Sequence, residues 1–204
     1  MTETSMNTSN PYDGERIAGT VGLPLPGISV RVTNPATGAT VENGEAGMIE
    51  VKGPNVFSGY WRKPELSKTE FRPDGYFITG DLGRIGCDGY VTIVGRARDL
   101  IITGGLNVYP REVESELEAL DGVAEAAVIG LPHKDFGEAV TAILVLDEGV
   151  SLDEAEAISR LKLRLANYKL PKRVIAVLSL PRNAMGKVQK NLLRETHAGL
   201  YDGN

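Results

Sequence analysis

Five short stretches carry residue types suited to ribose, phosphate and carboxylate chemistry or to close passage of a ligand. Thr79-Gly80-Asp81 sets a carboxylate after a strand and beside a glycine turn. There it can accept two hydrogen bonds from a ribose diol; the competing reading is an Asx-turn, in which it bonds its own backbone. Arg96 follows Gly95 at a strand end. Its guanidinium suits ribose or phosphate oxygens, and equally a surface ion pair of little energetic consequence. Lys187 follows Gly186 on a loop between a strand and a helix. A mobile lysine there can bridge a carboxylate and an α-phosphate during in-line attack, or simply be a solvated loop charge. Gly104-Gly105 either lets a slender ligand pass close to the backbone or ends a strand. Thr2-Glu3 offers a hydroxyl for phosphate and a carboxylate for Mg²⁺, or is a frayed end.

The elements that must position these residues divide in two near Arg98. Residues 1–27 are rich in Thr, Ser, Asn, Pro and Gly and read as loop. Over 28–94, short β runs alternate with Gly, Pro and Asn turns: Ile28–Val32, Gly47–Val51, Tyr76–Thr79 and Tyr90–Val94, with Asp74-Gly75 and Asp88-Gly89 as hairpin punctuation. This section reads as a small β-barrel or sandwich. After Arg98 the pattern changes. Leu100–Ile102, Val123–Ile129, Ala139–Leu146 and Arg173–Leu178 read as strands. Pro110 opens a helix to about Leu120, Ser151 with Glu154 forms a capping box ahead of a helix to about Ala166, and Lys190–His197 is a last helix. The expected fold class is therefore α+β. A β-barrel subdomain over 1–97 precedes a small α+β domain over 98–204 with a mixed or antiparallel sheet, joined by a hinge at Arg98 rather than a tether.

Composition narrows the function classes. The chain has 204 residues, 42% hydrophobic and 24% charged, with a net charge of −5, which places it among globular rather than disordered chains. The first 97 residues hold 9 basic and 11 acidic side chains and the rest 13 and 16, so neither half has the basic excess of a nucleic-acid binder. Cys87 is the single cysteine, which excludes an internal disulfide, and the only histidines are His133 and His197. Arg160, Lys162 and Arg164 read as a solvated helix face. No segment has the length of a membrane span. The expectation is a soluble cytoplasmic protein that binds neither membrane nor nucleic acid.

The order and spacing of the pieces go further than any one of them. The chain resembles the C-terminal part of the adenylate-forming acyl-CoA synthetase superfamily of AMP-binding enzymes. Met1-Thr2-Glu3-Thr4 is similar to the tail of that family's Tyr-Gly-x-Thr-Glu motif. Gly44–Gly47 with Val51–Trp61 resembles its barrel signature. Tyr76–Asp81, Gly95–Glu114, Asn167–Pro171 and Pro181–Lys187 complete six motifs in order. Within the superfamily, Met1–Pro11 and Leu180–Lys190 are similar to malonyl-CoA synthetases.

The resemblance implies a ligase that uses ATP, Mg²⁺ and coenzyme A, forms an acyl-adenylate, most simply from malonate, and then the thioester. By position, Thr2 would contact phosphate and Glu3 would hold Mg²⁺. Asp81 and Arg96 would hold the ribose. Arg98 would be the hinge, where Asp or Lys is usual in the family. Gly104 and Gly105 would line the pantetheine passage, and Lys187 would serve adenylation only. Lys187 would also suit a lysine acetyltransferase, since acetylation removes its charge. The family's phosphate loop belongs upstream of a segment like Met1–Thr4. The chain is therefore expected to be a C-terminal piece, inactive without the missing N-terminal part. The rival expectations are a ligase for another short or aromatic acid, and a non-catalytic interaction or complementation module.

Overall fold

The computed structural model describes residues 1–202, which divide into two units between Arg98 and Asp99. The first contains β1 (Thr8–Ser9), β2 (Leu23–Pro24), β3 (Ser29–Thr33), β4 (Gly47–Lys52), α1 (Pro64–Glu70), β5 (Phe77–Ile85) and β6 (Val91–Arg96). A 3₁₀ turn over Ala97–Asp99 follows. Then come β7 (Ile101–Thr103), β8 (Leu106–Val108), α2 (Pro110–Glu118), β9 (Val123–His133), β10 (Gly137–Leu146), α3 (Glu154–Leu161), β11 (Arg173–Val177) and α4 (Lys190–Thr196). The class is α+β, as the sequence pattern predicts.

In the first unit, β3, β4, β5 and β6 form an antiparallel meander in that order, and β1–β2 is a separate two-stranded ribbon. The expected barrel is thus an open sheet among the described residues. The ribbon approaches one edge through an isolated bridge from Gly22 to Val91 of β6, and two residues of pairing are too few to close the sheet. One face buries Ile49, Val51, Phe77 and Val91. Phe57 and Phe71 each lie 5.2 Å from the Phe77 ring, in tilted or edge-on contacts worth about 0.5–1.5 kcal/mol apiece beyond their buried area.

The other face of β4 carries a charge. Strict alternation would send Glu50 to solvent, yet it is fully buried. Its two oxygens receive Arg31 at 2.8 Å, Arg72 at 2.8 Å and the Thr33 hydroxyl at 2.9 Å. A buried carboxylate is tolerable only with its lone pairs satisfied in this way. Arg31 in turn pairs with Asp74, whose carboxyl is held below the usual range by hydrogen bonding to that guanidinium.

The second unit is built on β10. It pairs with β9 in antiparallel register from Gly137↔His133 to Leu146↔Val123. It pairs in parallel with β11 over Thr141–Val145, and with β7 at Gly137↔Thr103. Its residues are almost continuously apolar because both faces are covered. Val140, Ala142 and Leu144, with Ala126 and Val128 of β9, face Val113 and Leu117 of α2 and Leu161 of α3. Ile143, with Ala127, Ile129 and Leu131, faces Leu180 and Leu193 of α4. Burying one such aliphatic side chain contributes roughly 1.5–3 kcal/mol.

Two helix ends differ from the sequence reading. α3 is capped by Asp153, whose carboxylate accepts from the Ala155 and Glu156 N–H groups at 3.0 and 3.3 Å, and not by Ser151. Glu154, expected to complete the capping box, instead accepts from the Val174 N–H and the Arg173 guanidinium, tying α3 to β11. α3 also stops at Leu161 rather than near Ala166, and a 3₁₀ turn over Asn167–Lys169 follows. Glu50 offers the direct test of the first unit. Glu50→Ala should cost about 3 kcal/mol, near the low end for a broken buried ion pair because both arginines keep some solvent contact. Equilibrium urea unfolding of the chain reads this directly.

Candidate functional site

Thr79-Gly80-Asp81 lies inside β5, not after it. The β4–β5 register passes from Met48↔Leu82 to Glu50↔Ile78, so Ile49 faces a bulge of three residues. Gly80 has φ +72°, a left-handed conformation that glycine takes without penalty. The Thr79 hydroxyl replaces the missing ladder bond: it donates to the Ile49 carbonyl at 2.8 Å and accepts from the Asp81 N–H at 3.0 Å. The bulge aims Asp81 sideways. Asp81 and Arg96 are cross-strand partners, and the Arg96 Nε meets the carboxylate at 2.9 Å. Both readings of Arg96 therefore converge, since the ion pair sets an acceptor and a forked donor side by side. Asp81 and Thr79 border a hollow walled by Val21, Val30, Val91 and Ile93. The hollow thus has an apolar wall with an acid–base pair at its rim. These walls come from three separate segments, the loop before β2, β3 and β6, and no local sequence signal marks them.

The opening segment is tied down rather than frayed. The Asn55 amide nitrogen donates to the Thr4 and Met6 carbonyls at 2.6 and 3.1 Å and to Asn7 Oδ1 at 2.9 Å. Thr4 is fully buried. Glu3 is half-buried, with its carboxylate 3.4 Å from the Tyr60 hydroxyl, which is the donor. Burial pushes the Tyr60 phenol up, and the Glu3 charge adds to the effect. Thr2 is exposed. Among the described residues no group of three His, Cys, Asp or Glu side chains is placed to hold a metal. Magnesium commonly takes one or two carboxylates and completes its shell with water and phosphate oxygens, so Glu3 alone fits a Mg²⁺–nucleotide role.

In the second unit Gly104 and Gly105 form the two-residue loop between β7 and β8, closed by Thr103↔Leu106. Both have positive φ, +56° and +78°, as a type I′ hairpin requires. A Cβ on either would meet nothing within 4 Å. The loop is thus open and slim, held by the Gly104 N–H donating to the Phe136 carbonyl at 2.8 Å. Arg98 sits in the 3₁₀ turn with its side chain exposed.

Lys187 lies on a small turn. Asn183 Oδ1 accepts from the Met185 and Lys187 N–H groups, both at 3.0 Å, and the Asn183 N–H donates to the Lys187 carbonyl at 2.9 Å. Gly186 takes the left-handed conformation, φ +77°. Among the described residues the Lys187 ammonium has no carboxylate within 4 Å. By contrast, Lys169 and Lys190 are both paired, with Glu112 and Glu114. Each unit thus gathers its own set: Thr79, Asp81 and Arg96 with Glu3 elsewhere in the first, and Gly104-Gly105 and Lys187 on separate loops of the second.

The chain belongs to the AMP-binding enzymes: residues 1–61 match that family, and residues 112–187 match the AMP-binding enzyme C-terminal domain. Among individual relatives, it is 44% identical over 207 residues to the malonate–CoA ligase of Arabidopsis thaliana, covering 96% of this chain and 33% of that protein. It is 40% identical over 185 residues to the indoleacetate–CoA ligase of Aromatoleum aromaticum, 91% and 36% respectively. The crystal structure of ATP-bound MatB from Rhodopseudomonas palustris superposes with a TM-score of 0.94 at 63% identity, covering 98% of this chain and 40% of that one. The chain thus spans about a third of the length of the curated relatives it matches.

The glycine loop is testable on stability alone. Gly104→Ala and Gly105→Ala should each cost about 1 kcal/mol, a backbone penalty with no clash. Gly105→Asn should cost less, because asparagine enters the left-handed region more readily. Urea midpoints of the three variants at constant m-value distinguish these outcomes.

Proposed function

We propose that this chain supplies the C-terminal part of an ATP-dependent acid–CoA ligase, with malonate the leading acid. The observation that carries the reading is the 63% identity to ATP-bound MatB over 98% of the chain. The malonate–CoA ligase relative supports the acid, and the indoleacetate–CoA ligase at 40% keeps larger acids in play.

The chemistry has two steps. An acid carboxylate oxygen attacks the α-phosphorus of ATP, the α–β bridging bond breaks, and pyrophosphate leaves with the electron pair. The sulfur of CoA, losing its proton, then attacks the acyl carbonyl and AMP leaves. Asp81 accepts from the ribose hydroxyls while Arg96 holds that carboxylate in place and faces the sugar oxygens. Lys187, an ammonium with no competing carboxylate among the described residues, lies against the carboxylate and α-phosphate in the first step, where negative charge accumulates. Thr2 donates to phosphate, and Glu3 is the carboxylate that would hold Mg²⁺, which when bound screens the phosphate charge. Gly104-Gly105 leaves a side-chain-free path for the pantetheine arm in the second step.

Because the motif resemblance gives Lys187 to the first step and Gly104-Gly105 to the second, we place a pivot at Arg98, the last residue of the first unit. We also place the protein in the cytoplasm, where an exposed thiol such as Cys87 stays reduced. The exposed Lys187 is in addition a substrate for a lysine acetyltransferase.

In the full-length ligase, Lys187→Ala should depress adenylate formation by at least about 100-fold, the scale of one preorganised charge. It should largely spare thioester formation from pre-made acyl-adenylate. ATP–pyrophosphate exchange with malonate, methylmalonate, acetate and indoleacetate measures the first step and ranks the acids. Equal loss in both steps would remove Lys187 from this role.

The 204-residue chain alone should bind ATP·Mg²⁺ no more tightly than about 1 mM, roughly −4 kcal/mol, and should release no AMP. Titration calorimetry at micromolar sensitivity checks this. Tight binding with turnover would show that the chain needs no further part.

A further inference from the structure

Arg182 has no part in the chemistry proposed above, yet it holds the residue next to Lys187. Its Nη1 donates to the Gly186 carbonyl at 2.6 Å, and its Nη2 donates to Glu125 of β9 at 2.5 Å. Arg182 also pairs with Val188 across the turn through an isolated bridge. One planar guanidinium thus spans from the sheet to the peptide that precedes Lys187. Asn183 fixes the same peptide from the other side, through the Lys187 N–H.

We infer that Arg182 is a positioning residue for Lys187, clamping the Gly186–Lys187 peptide to β9 through Glu125. The inference rests on the role given to Lys187 above. Asn183 closes the turn on itself with four hydrogen bonds, and Arg182 is the side chain that ties it to β9. Ala184, Met185 and Lys187 are exposed, and Gly186 has no side chain to pack. Without the guanidinium, the Gly186–Lys187 peptide keeps its N–H bond to Asn183 but its carbonyl loses the tie to β9, so the turn can shift as a unit against the sheet.

The arrangement also predicts what the clamp does not do. Arg182 and Glu125 are 44% and 41% exposed, and an ion pair that open adds little to global stability. Its effect is geometric, and geometry at a reacting centre is costly to lose, since about 1 Å of misplacement can cost 100-fold. Arginine is required in particular. A lysine at this position reaches one of the two acceptors as a point charge but cannot fork to both.

The test uses the full-length ligase with Arg182→Ala, Arg182→Lys, Glu125→Gln, Lys187→Ala and the double variant Arg182→Ala/Lys187→Ala. Rates of adenylate formation and of thioester formation from pre-made acyl-adenylate are measured separately, with thermal melting alongside. Arg182→Ala should slow adenylation about 10–100-fold, leave thioester formation within about twofold, and leave the melting point unchanged. Arg182→Lys should recover part of the loss. Glu125→Gln, which keeps an acceptor, should lose least. On the Lys187→Ala background, Arg182→Ala should cause no further loss.

If Lys187→Ala abolishes adenylation while Arg182→Ala leaves it intact, the clamp is overturned and the role of Lys187 stands. The clamp is also overturned if Arg182→Ala lowers both steps in parallel with the melting point. If Lys187→Ala leaves adenylation intact, the role of Lys187 falls first and the clamp falls with it.

Discussion

The second unit depends on β10 being hydrogen-bonded along both edges and buried on both faces. β9 runs the length of one edge, while β11 and β7 share the other. Val113 and Leu117 of α2, Leu161 of α3 and Leu193 of α4 pack in clusters built on residues of β10 and β9. This constraint explains why the loops that carry glycines and lysine can be so sparsely packed. The hairpin at Gly104-Gly105 hangs from β10 through β7, and the turn at Lys187 hangs from β9 through Arg182 and Glu125. A rigid strand at the centre allows exposed loops at the rim to hold a defined shape with only a few polar contacts.

The first unit meets a different constraint with polar groups. Glu50 occupies a position where a hydrocarbon would be cheaper to bury, and three donors are spent on it. Those donors come from β3 and from the segment after α1, so the carboxylate also sets how both lie against β4. The bulge at Thr79-Gly80-Asp81 works similarly. A threonine hydroxyl takes the place of a backbone ladder bond and turns the strand just where Asp81 must leave the plane of the sheet. In both cases a side chain does what regular secondary structure would otherwise do, and the candidate nucleotide residues lie next to it.

Most strands and helices were legible in the sequence because their periodicity is local. Ala139–Leu146, the greater part of β10, is apolar but for Thr141, and Pro110 marks the first turn of α2. What was not legible depended on distant partners. Asp153 outcompeted Ser151 as a cap because Glu154 was already committed to Arg173 and Val174 on β11, nineteen and twenty residues away. The open sheet was read as a barrel because strand count and turn spacing do not say whether the ends meet. At the site, motif spacing singled out Asp81, Arg96 and Lys187. It could not show that Asp81 and Arg96 stand opposite each other, since that follows from a bulged register. Nor did anything mark Arg182, whose contacts lie four and fifty-seven residues away.

The two edges of β10 also form on different schedules. β9 and β10 are joined by a short turn, so their pairing closes a small loop and can form early. β11 lies parallel to β10, and a parallel partner must wait for a long crossover, here the stretch 147–172 that includes α3. Everything beyond β11, the Lys187 turn and α4 included, docks onto a sheet that is already half built. The Lys187 side chain is exposed on that turn, so the core does not have to open for another molecule to reach it.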